Sequence, residues 1–373
     1  MRLANVWNLG VKELRSLRRD TLLLAFVVYA FSVSTYTAAT ALPETLHLAP
    51  MAVVDEDRSQ LSARIVDAFY PPQFVTPEHV DLAGMDSGMD AGLYTFGLVI
   101  PAGLERDLLA GRAPEIQLNV DATRMSQAFT GSSYIQAIVS AEVDTFVRGH
   151  RAEAQPLVDL ALRARFNPEL NRIWFGSVMQ VVSNVTMLSI ILAGAALIRE
   201  REHGTVEHLL VMPVTPSEIM AAKIWSTGAV VLLAATLSLT LIVRGALQVP
   251  IEGSLALFLA GAALHLFATT SMGIMLATLA RSMPQFGMLI LLVLVPLELL
   301  SGGTTPRESM PEIIQTLMLA APNTHFIIVG QSVLFRGAGL EVVWPQFLAL
   351  ALIGTAMFAF SLSRFRKGLE RMS

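Results

Sequence analysis

The chain lacks cysteine and contains few charged residues. Without cysteine it can form neither disulfide bonds nor thiolate metal sites. Asp, Glu, Lys and Arg together make up only 15% of the 373 residues, whereas a soluble globular protein carries about 25%. The formal net charge of −4 argues against a nucleic-acid partner, because surfaces that bind nucleic acid are strongly basic.

Motifs for binding ATP or for catalysis are absent as well. No G-x-x-x-x-G-K-[ST] sequence occurs, so this chain has no phosphate loop. The L-S-G-G sequence from Leu300 to Gly303 resembles the start of an ATPase signature motif, but a glycine turn that ends a helix explains it better. Asp55 to Asp57 lack metal-ligand spacing with a histidine, and we interpret them as solvated charge. We therefore expect no catalytic site, no bound cofactor and no metal site.

Apolar residues are gathered in long runs. Five runs contain no Asp, Glu, Lys or Arg: Thr21 to Pro43, Ile173 to Ile198, Ile224 to Val243, Gly253 to Ala280 and Val342 to Ser363. A sixth run, Ser282 to Gly303, is interrupted only by Glu298. Each run reaches the ~20 residues that a helix needs to cross ~30 Å of hydrocarbon. The sequence therefore predicts an α-helical membrane protein with six transmembrane helices, which extend over residues 21–43 and 173–363.

The first apolar run could also be a cleaved signal peptide. Its tail, Ala38 to Ala41, has the small residues of a cleavage site. Against this, the run is longer than the ~7–15 residues of a signal core, and an amphipathic stretch precedes it. We interpret residues 21–43 as an uncleaved anchor. Residues 1–20 place apolar and basic side chains on opposite sides at helical spacing, which is typical of an interfacial helix.

Basic residues predict the orientation. With six spans both chain ends lie on one side, and thirteen basic residues occur in the segments of that side, against three in the short loops of the other. The positive-inside rule then places both termini, including the tail 364–373, in the cytoplasm. Residues 318–335 could form a seventh span and reverse this result. Because Pro322, Asn323 and Gly330 interrupt them, we interpret residues 304–341 as a periplasmic re-entrant segment covered by protein.

Residues 44–172 are long enough for an independent domain. Short apolar runs alternate with helical patterns. The expected strands are Leu48 to Val54, Tyr94 to Ile100 and Glu115 to Val120, and the expected helices are Ser59 to Phe69, Ala102 to Ala110 and Ser126 to Val147. This order predicts a large α/β domain between helices one and two. Given the orientation above, the domain is periplasmic.

The loop 199–222 combines charge with clear helix signals. Gly204 can end the second span, Thr205 can cap a short helix, and Pro213 ends that helix. Thr215 then caps the third span, with Glu218 completing a capping box. A short helix held across the membrane face could fill a groove on a cytoplasmic partner. Considered without any resemblance, an ordinary interfacial turn with solvated charges explains the pattern more simply.

The same loop carries a family resemblance. The run Glu200 to Leu210, followed by Met212 to Thr215 and Lys223, resembles the signature of type-2 ABC exporter permeases. Similarity extends over most of the chain, including Val120 to Gly131 and Ala280 to Gln285. The resemblance implies a coupling helix that docks on an ATP-binding subunit. The coupling residues it implies are Glu200, Arg201, Glu202, His203, Gly204, Thr205, Val206, Glu207, Leu209, Leu210 and Pro213.

The resemblance also implies the partners. These are a cytoplasmic ATP-binding subunit that holds the ATP, a second permease half in a homo- or heterodimer, membrane lipid, and often a periplasmic adaptor with an outer-membrane channel. The location it implies is the bacterial inner membrane.

Two ionisable residues fall inside the apolar runs. His265 lies near the centre of the fourth run and Glu298 near the outer end of the fifth. Ionisable groups at such depths are functional candidates. For His265, a neutral side chain hydrogen-bonded to a neighbouring helix is the simpler explanation. Glu298 could face a water-filled path or extend to the outer interface.

Three functions are compatible with these features. The first is a permease that exports a substrate by means of ATP hydrolysis on a partner. The second is a non-transporting transducer that relays ATPase motion to the periplasmic domain. The third, an ion-coupled carrier, has only His265 and Glu298 as buried charge and is the weakest.

Overall fold

The computed structural model describes residues 2–40, 48–121, 125–150, 166, 172–202, 213–303, 305 and 307–370. The chain forms two compact units. The first comprises Met1–Leu42 with Ala164–Ser373, and the second comprises Pro43–Arg163. Each unit is described separately below.

The first unit is helical and contains, in its described part, six helices long and apolar enough to cross a membrane. They are span 1 (Thr21–Thr40), span 2 (Ile173–Glu202), span 3 (Pro216–Ala246), span 4 (Leu255–Leu279), span 5 (Met283–Leu300) and span 6 (Leu340–Lys367). Spans 2 and 4 lie at the centre of the bundle, because 78% and 56% of their apolar windows are buried, against 17% for span 6.

Local sequence signals set the ends of the spans. Thr215 begins span 3 with the expected capping box: its hydroxyl accepts from the Glu218 amide, and the Glu218 carboxylate accepts from the Thr215 amide. Ser254 caps span 4 in the same manner. Span 5 ends at Leu300, and Gly302 follows with φ +97°, a conformation that glycine adopts without steric penalty. The L-S-G-G sequence is therefore a helix-ending turn.

Span 1 contains a π-helical turn, Ala30–Ser34. Such a turn leaves a backbone carbonyl without its regular helical hydrogen bond. In an apolar environment this carbonyl needs another donor. Asn184 of span 2, which is 1% exposed, donates its amide N–H to the Ala30 carbonyl at 2.6 Å. A buried side chain thus stabilises the irregular turn and fixes span 1 against span 2.

Helix α1 (Leu3–Arg19) packs on the beginning of span 3. The indoles of Trp7 and Trp225 stack in parallel with ring centroids 5.0 Å apart. Trp225 also donates its ring N–H to the Val6 carbonyl at 3.0 Å. Gly10 allows this close approach, since a Cβ there would lie 2.1 Å from the Trp225 ring. The amphipathic helix is therefore bound to protein along one side.

A bent segment separates spans 5 and 6. It consists of Glu312–Ala320 and Pro322–Phe335, which meet at an angle of 92°. Its deep point is Asn323, which contacts Thr186 in the middle of span 2. Its last residue, Phe335, stacks on Phe175 at the beginning of span 2 with centroids 5.6 Å apart. The second half thus returns to the end of the bundle at which span 2 begins.

The second unit is built around a four-stranded sheet of order β2-β1-β3-β4 within its described residues. The strands are β1 (Met51–Asp55), β2 (Glu78–His79), β3 (Phe96–Ile100) and β4 (Gln117–Val120). β1 pairs in parallel with β2 and β3, whereas β4 pairs antiparallel with β3. β1 and β3 are buried and almost continuously apolar, as expected for central parallel strands covered on both faces.

The part of this unit that the structure describes also contains four helices: α2 (Gln60–Asp67), α3 (Leu82–Asp90), α4 (Leu104–Leu109) and α5 (Met125–His150). Leu61 and Ile65 of α2 join Phe146 of α5 in one hydrophobic cluster. Met85 of α3 belongs to a second cluster with Ala52. The sequence patterns did not predict β2, which has two residues, or α3, whose sequence is rich in Gly and Asp.

The acidic run after β1 proves to cap helices. Asp57 accepts hydrogen bonds from the amides of Gly103 at 2.7 Å and Glu105 at 3.1 Å at the start of α4. Glu105 in turn accepts from the Leu61 amide in α2 at 3.0 Å. Burial raises the pKa of Asp57, but its hydrogen bonds outweigh this effect and hold the pKa below its ordinary value. Asp57 is thus partly exposed, as expected for solvated charge, and in addition it caps α4.

Candidate coupling site and intramembrane polar chain

Residues 203–212 lie outside the described residues. They include seven of the coupling residues inferred from the sequence: His203, Gly204, Thr205, Val206, Glu207, Leu209 and Leu210. These seven remain predictions. The structure does describe the two ends of this loop, which are the last turn of span 2 and the chain from Pro213 onward.

A buried ion-pair network holds the first end. The ammonium group of Lys223 in span 3 lies 3.0 Å from Glu13 of α1 and 2.8 Å from Glu200 of span 2. Lys12 of α1 lies 2.6 Å from the other oxygen of Glu200. The side chains of Lys223 and Glu200 are only 2% and 11% exposed. Glu200 therefore joins α1, span 2 and span 3, and its carboxylate is directed into the protein.

The next two charged residues bind a neighbouring turn. The Arg201 guanidinium donates to the Ala280 carbonyl at 2.6 Å, and the Glu202 carboxylate accepts from the Met283 amide at 3.0 Å. Ala280 directly follows the last residue of span 4, and Met283 is the first residue of span 5. The final turn of span 2 is thus fixed to four other elements, since α1 and span 3 contact Glu200.

Helix α1 also holds the second end. The Asn5 side chain donates to the Pro213 carbonyl at 3.4 Å and to the Glu218 carboxylate at 3.2 Å. The Arg2 amide donates to the other oxygen of Glu218 at 2.5 Å. Because Lys12 binds Glu200 and Asn5 binds Pro213, one rigid helix clamps both ends of the 203–212 loop. A force applied to this loop would be transmitted to α1, span 2 and span 3 together.

A polar chain crosses the interior of the bundle. His265 of span 4, which is 0% exposed, lies with its Nε2 2.9 Å from the Thr186 hydroxyl of span 2. Thr186 donates to the Asn323 side-chain oxygen at 2.7 Å. The Asn323 amide nitrogen donates to the Leu297 carbonyl of span 5 at 3.1 Å. This polar chain of hydrogen bonds joins spans 2, 4 and 5 to the deep point of the bent segment.

The direction of these hydrogen bonds fixes the histidine tautomer. Since the Asn323 nitrogen donates to Leu297, its oxygen is left to accept from Thr186. A hydroxyl has one proton, so Thr186 must accept from His265, and Nε2 carries the hydrogen. His265 therefore acts as a hydrogen-bond donor between helices, which matches the simpler of the two sequence interpretations.

Thr186→Val should reveal the contribution of this chain. The variant keeps the shape of the side chain but leaves the His265 N–H and the Asn323 oxygen unpaired, at a cost of about 1–3 kcal/mol for each group. We expect a lower thermal unfolding midpoint for the purified protein. Thr240→Val is the matched control, because Thr240 is exposed and its hydroxyl bonds only carbonyls of its own helix, Thr236 and Leu237. Equal midpoints for the two variants would contradict a stabilising role.

Glu298 is turned towards span 2. One carboxylate oxygen accepts from the Ser183 hydroxyl at 2.5 Å. The other is buried without a hydrogen-bond partner among the described residues. The side chain therefore points into the bundle. This orientation differs from that of a glutamate that extends to the membrane surface.

Sequence reasoning missed several residues of these two sites. Lys12 entered only as one of the basic residues of the N-terminal segment, and Lys223 only as a basic residue and part of the family signature. Glu13 was not considered, and neither Thr186 nor Asn323 was identified as a partner of His265. For Lys223 a signal existed, because it is a charged residue immediately before a long apolar run. For Thr186 none existed, since Thr is common in membrane-spanning helices and its partner is far away in the chain.

Comparison with known proteins decides the family. The model of the "ABC-2 family transporter protein" family matches residues 21–363. The chain belongs to this ABC-2 family. It is 59% identical over 371 residues to the inner membrane transport permease YhhJ of Escherichia coli strain K12, covering 100% of this chain and 99% of that one. The resemblance to type-2 ABC permeases that the loop sequence indicated is thereby confirmed.

More distant relatives of this ABC-2 permease also align over most of its length. It is 26% identical over 366 residues to the probable multidrug ABC transporter permease YbhR of E. coli strain K12, with 95% of this chain and 97% of that one aligned. The probable multidrug permease YbhS of the same strain is 25% identical over 362 residues. The ABC-2 permease is therefore a multi-pass inner-membrane transport subunit that is not itself catalytic.

Proposed function

We propose that this ABC-2 permease is the membrane-spanning half of an exporter driven by a separate cytoplasmic ATP-binding subunit. The observation that carries the proposal is the double clamp of helix α1 on the 203–212 loop. Lys12 binds Glu200 before the loop, and Asn5 binds Pro213 after it. Because both ends of the loop are fixed to helices of the bundle, motion of a docked ATPase would be passed to those helices.

The proposed orientation places this loop and both termini in the cytoplasm. The excess of basic residues at that end supports it. The bent segment supports it further, because a seventh span would have to end beside the loop. Phe335 instead stacks on Phe175, which is 27 residues before the loop end of span 2. We therefore regard Glu312–Phe335 as re-entrant, and the second unit, with its four-stranded sheet, as periplasmic.

The proposed assembly contains two permease halves and two ATP-binding subunits, with membrane lipid around them. A periplasmic adaptor and an outer-membrane channel would continue the export path, with the second unit as their docking site. Two relatives are named as probable multidrug permeases. We accordingly propose amphipathic small molecules as the first substrate class to test.

The experiment is reconstitution of the permease with its ATP-binding subunit in liposomes. We expect candidate drugs to stimulate ATP hydrolysis and to move across the bilayer only when ATP is present. ATP hydrolysis that depends on an intact 203–212 loop but moves no substrate would favour the transducer over the exporter.

Gly204→Val should reduce co-purification of the ATP-binding subunit, because valine resists a left-handed conformation by roughly 1–2 kcal/mol. Normal co-purification and hydrolysis in this variant would place the coupling contact elsewhere.

A further inference from the structure

A cavity of about 220 Å³ lies at the end of the first unit opposite the loop. Two aromatic side chains come from the first turn of span 2, and the remaining residues of the cavity from the end of the bent segment and from Phe166. The lining residues are Phe166, Trp174, Phe175, Gln331, Phe335 and Arg336. Neither the coupling site nor the polar chain uses any of them.

The depth of the cavity follows from the length of span 2. An α-helix rises ~1.5 Å per residue, so Trp174 lies about 42 Å above Glu202. A bilayer measures ~30 Å across its hydrocarbon core and ~40–45 Å with its headgroup regions. The buried charges of Glu200 and Lys223 mark the headgroup region at the loop end. The cavity therefore lies at headgroup level in the opposite leaflet.

The chemistry of the cavity is an apolar wall with one cation at its rim. Phe175 and Phe335 stack at an interplanar angle of 22° and form a flat aromatic surface. Arg336 follows directly and is exposed, and the Gln331 side chain adds an amide. None of the described lining residues is acidic, so the cavity has a net positive charge. Its complement is an anionic group attached to an apolar body.

Size and position identify the source of such a ligand. Pockets that enclose a drug-sized molecule usually measure about 300–1,000 Å³, which is more than this cavity offers. A phospholipid needs to insert only its glycerol-phosphate region, since its acyl chains stay in the bilayer. A guanidinium binds a phosphate with two parallel hydrogen bonds. In addition, a lipid of this leaflet reaches the cavity without leaving the membrane.

We propose that this cavity binds the headgroup of an anionic phospholipid. The phosphate lies on Arg336, and the first part of an acyl chain covers the Phe175–Phe335 pair. The lipid then joins the beginning of span 2 to the end of the bent segment. Because Asn323 fixes the other end of the same half-segment, the lipid and the polar chain hold Pro322–Phe335 from its two ends.

The test uses the full-length protein, purified in detergent and mixed with equal amounts of phosphatidylglycerol and phosphatidylcholine. Native mass spectrometry measures which lipid stays bound. Both lipids carry a phosphate, but the quaternary ammonium of phosphatidylcholine repels the Arg336 guanidinium, whereas phosphatidylglycerol has no cation. We therefore expect the anionic lipid to be retained about tenfold more. Arg336→Gln should abolish this preference. Arg244→Gln is the matched control, because Arg244 is an exposed arginine at the end of span 3, outside the cavity.

Three further measurements keep the interpretation unambiguous. Thermal unfolding of Arg336→Gln should match that of Arg244→Gln, so that lost binding does not reflect lost fold. Phe335→Leu, which keeps the charge, should lower the retention of both lipids. Millimolar inorganic phosphate should not displace phosphatidylglycerol. Equal lipid preference in the Arg336 and Arg244 variants would overturn the proposal, and displacement by free phosphate would assign the site to a soluble phosphate compound instead.

Discussion

Lys223→Ala is expected to destabilise the first unit by about 3–5 kcal/mol, the usual effect of removing one partner from a buried ion pair. Lys223 is 2% exposed and binds both Glu13 and Glu200. Without it, two poorly exposed carboxylates face each other at the membrane boundary. We expect a large fall in folded yield and in the thermal unfolding midpoint, together with loss of the co-purified ATP-binding subunit.

Lys367→Ala controls for the removal of a positive charge at the same end of the bundle. Lys367 is exposed near the end of span 6, so this variant should behave as the unmodified protein. A triple variant, Lys223→Met with Glu13→Gln and Glu200→Gln, removes the charges together and should regain much of the stability. A normal unfolding midpoint for Lys223→Ala would show that the network contributes little.

The network changes how Glu200 must be tested. From the sequence, reversing the charges of Glu200 and Glu202 should weaken ATPase binding and leave the membrane part intact. In the structure, Glu200 binds Lys223 and Lys12, so a lysine at this position would place a third cation beside two others. Glu200→Lys should therefore destabilise the bundle itself. Gly204→Val and a charge reversal at Glu207 are the better probes of docking.

Gly10→Val is expected to detach helix α1 from span 3. A Cβ at this position would lie 2.1–2.3 Å from three atoms of the Trp225 ring. The ring cannot move easily, because it stacks on Trp7 and donates a hydrogen bond to Val6. Overpacking of this kind costs about 1–3 kcal/mol, or about 5- to 150-fold in the docking equilibrium. We expect reduced ATPase stimulation with all six spans still inserted.

Gly228→Ala is the matched control for this variant. Gly228 lies in span 3, the helix that carries Trp225, but a Cβ there would have no other atom within 4 Å apart from its own helix. Alanine in a helix interior is favoured over glycine by about 1 kcal/mol, so stability should be equal or higher. Protease accessibility of α1, measured in membrane vesicles, reports detachment directly. An α1 helix that stays protected in Gly10→Val would show that Trp225 adapts.

Features that depend on neighbouring residues could be predicted from the sequence. The apolar runs predict the spans, because crossing hydrocarbon requires about 20 apolar residues in one stretch. The Thr215–Glu218 capping box is equally local, and the structure contains it. In the second unit, alternating apolar runs indicated three of the four strands, while the two-residue strand β2 depends on pairing with β1 and has no pattern of its own.

Only the tertiary structure decided which polar groups meet. Lys223 and Glu13 are 210 residues apart in the chain, and Thr186 and Asn323 are 137 apart. Neither pair has a periodic pattern that would connect its members. The sequence by itself determined that this is a multi-pass helical permease of the ABC-2 family, since the length of apolar runs and the loop motif are properties of contiguous residues. The structure showed that Glu200 holds span 2 to α1 and span 3, because folding brings Lys12 and Lys223 to its carboxylate.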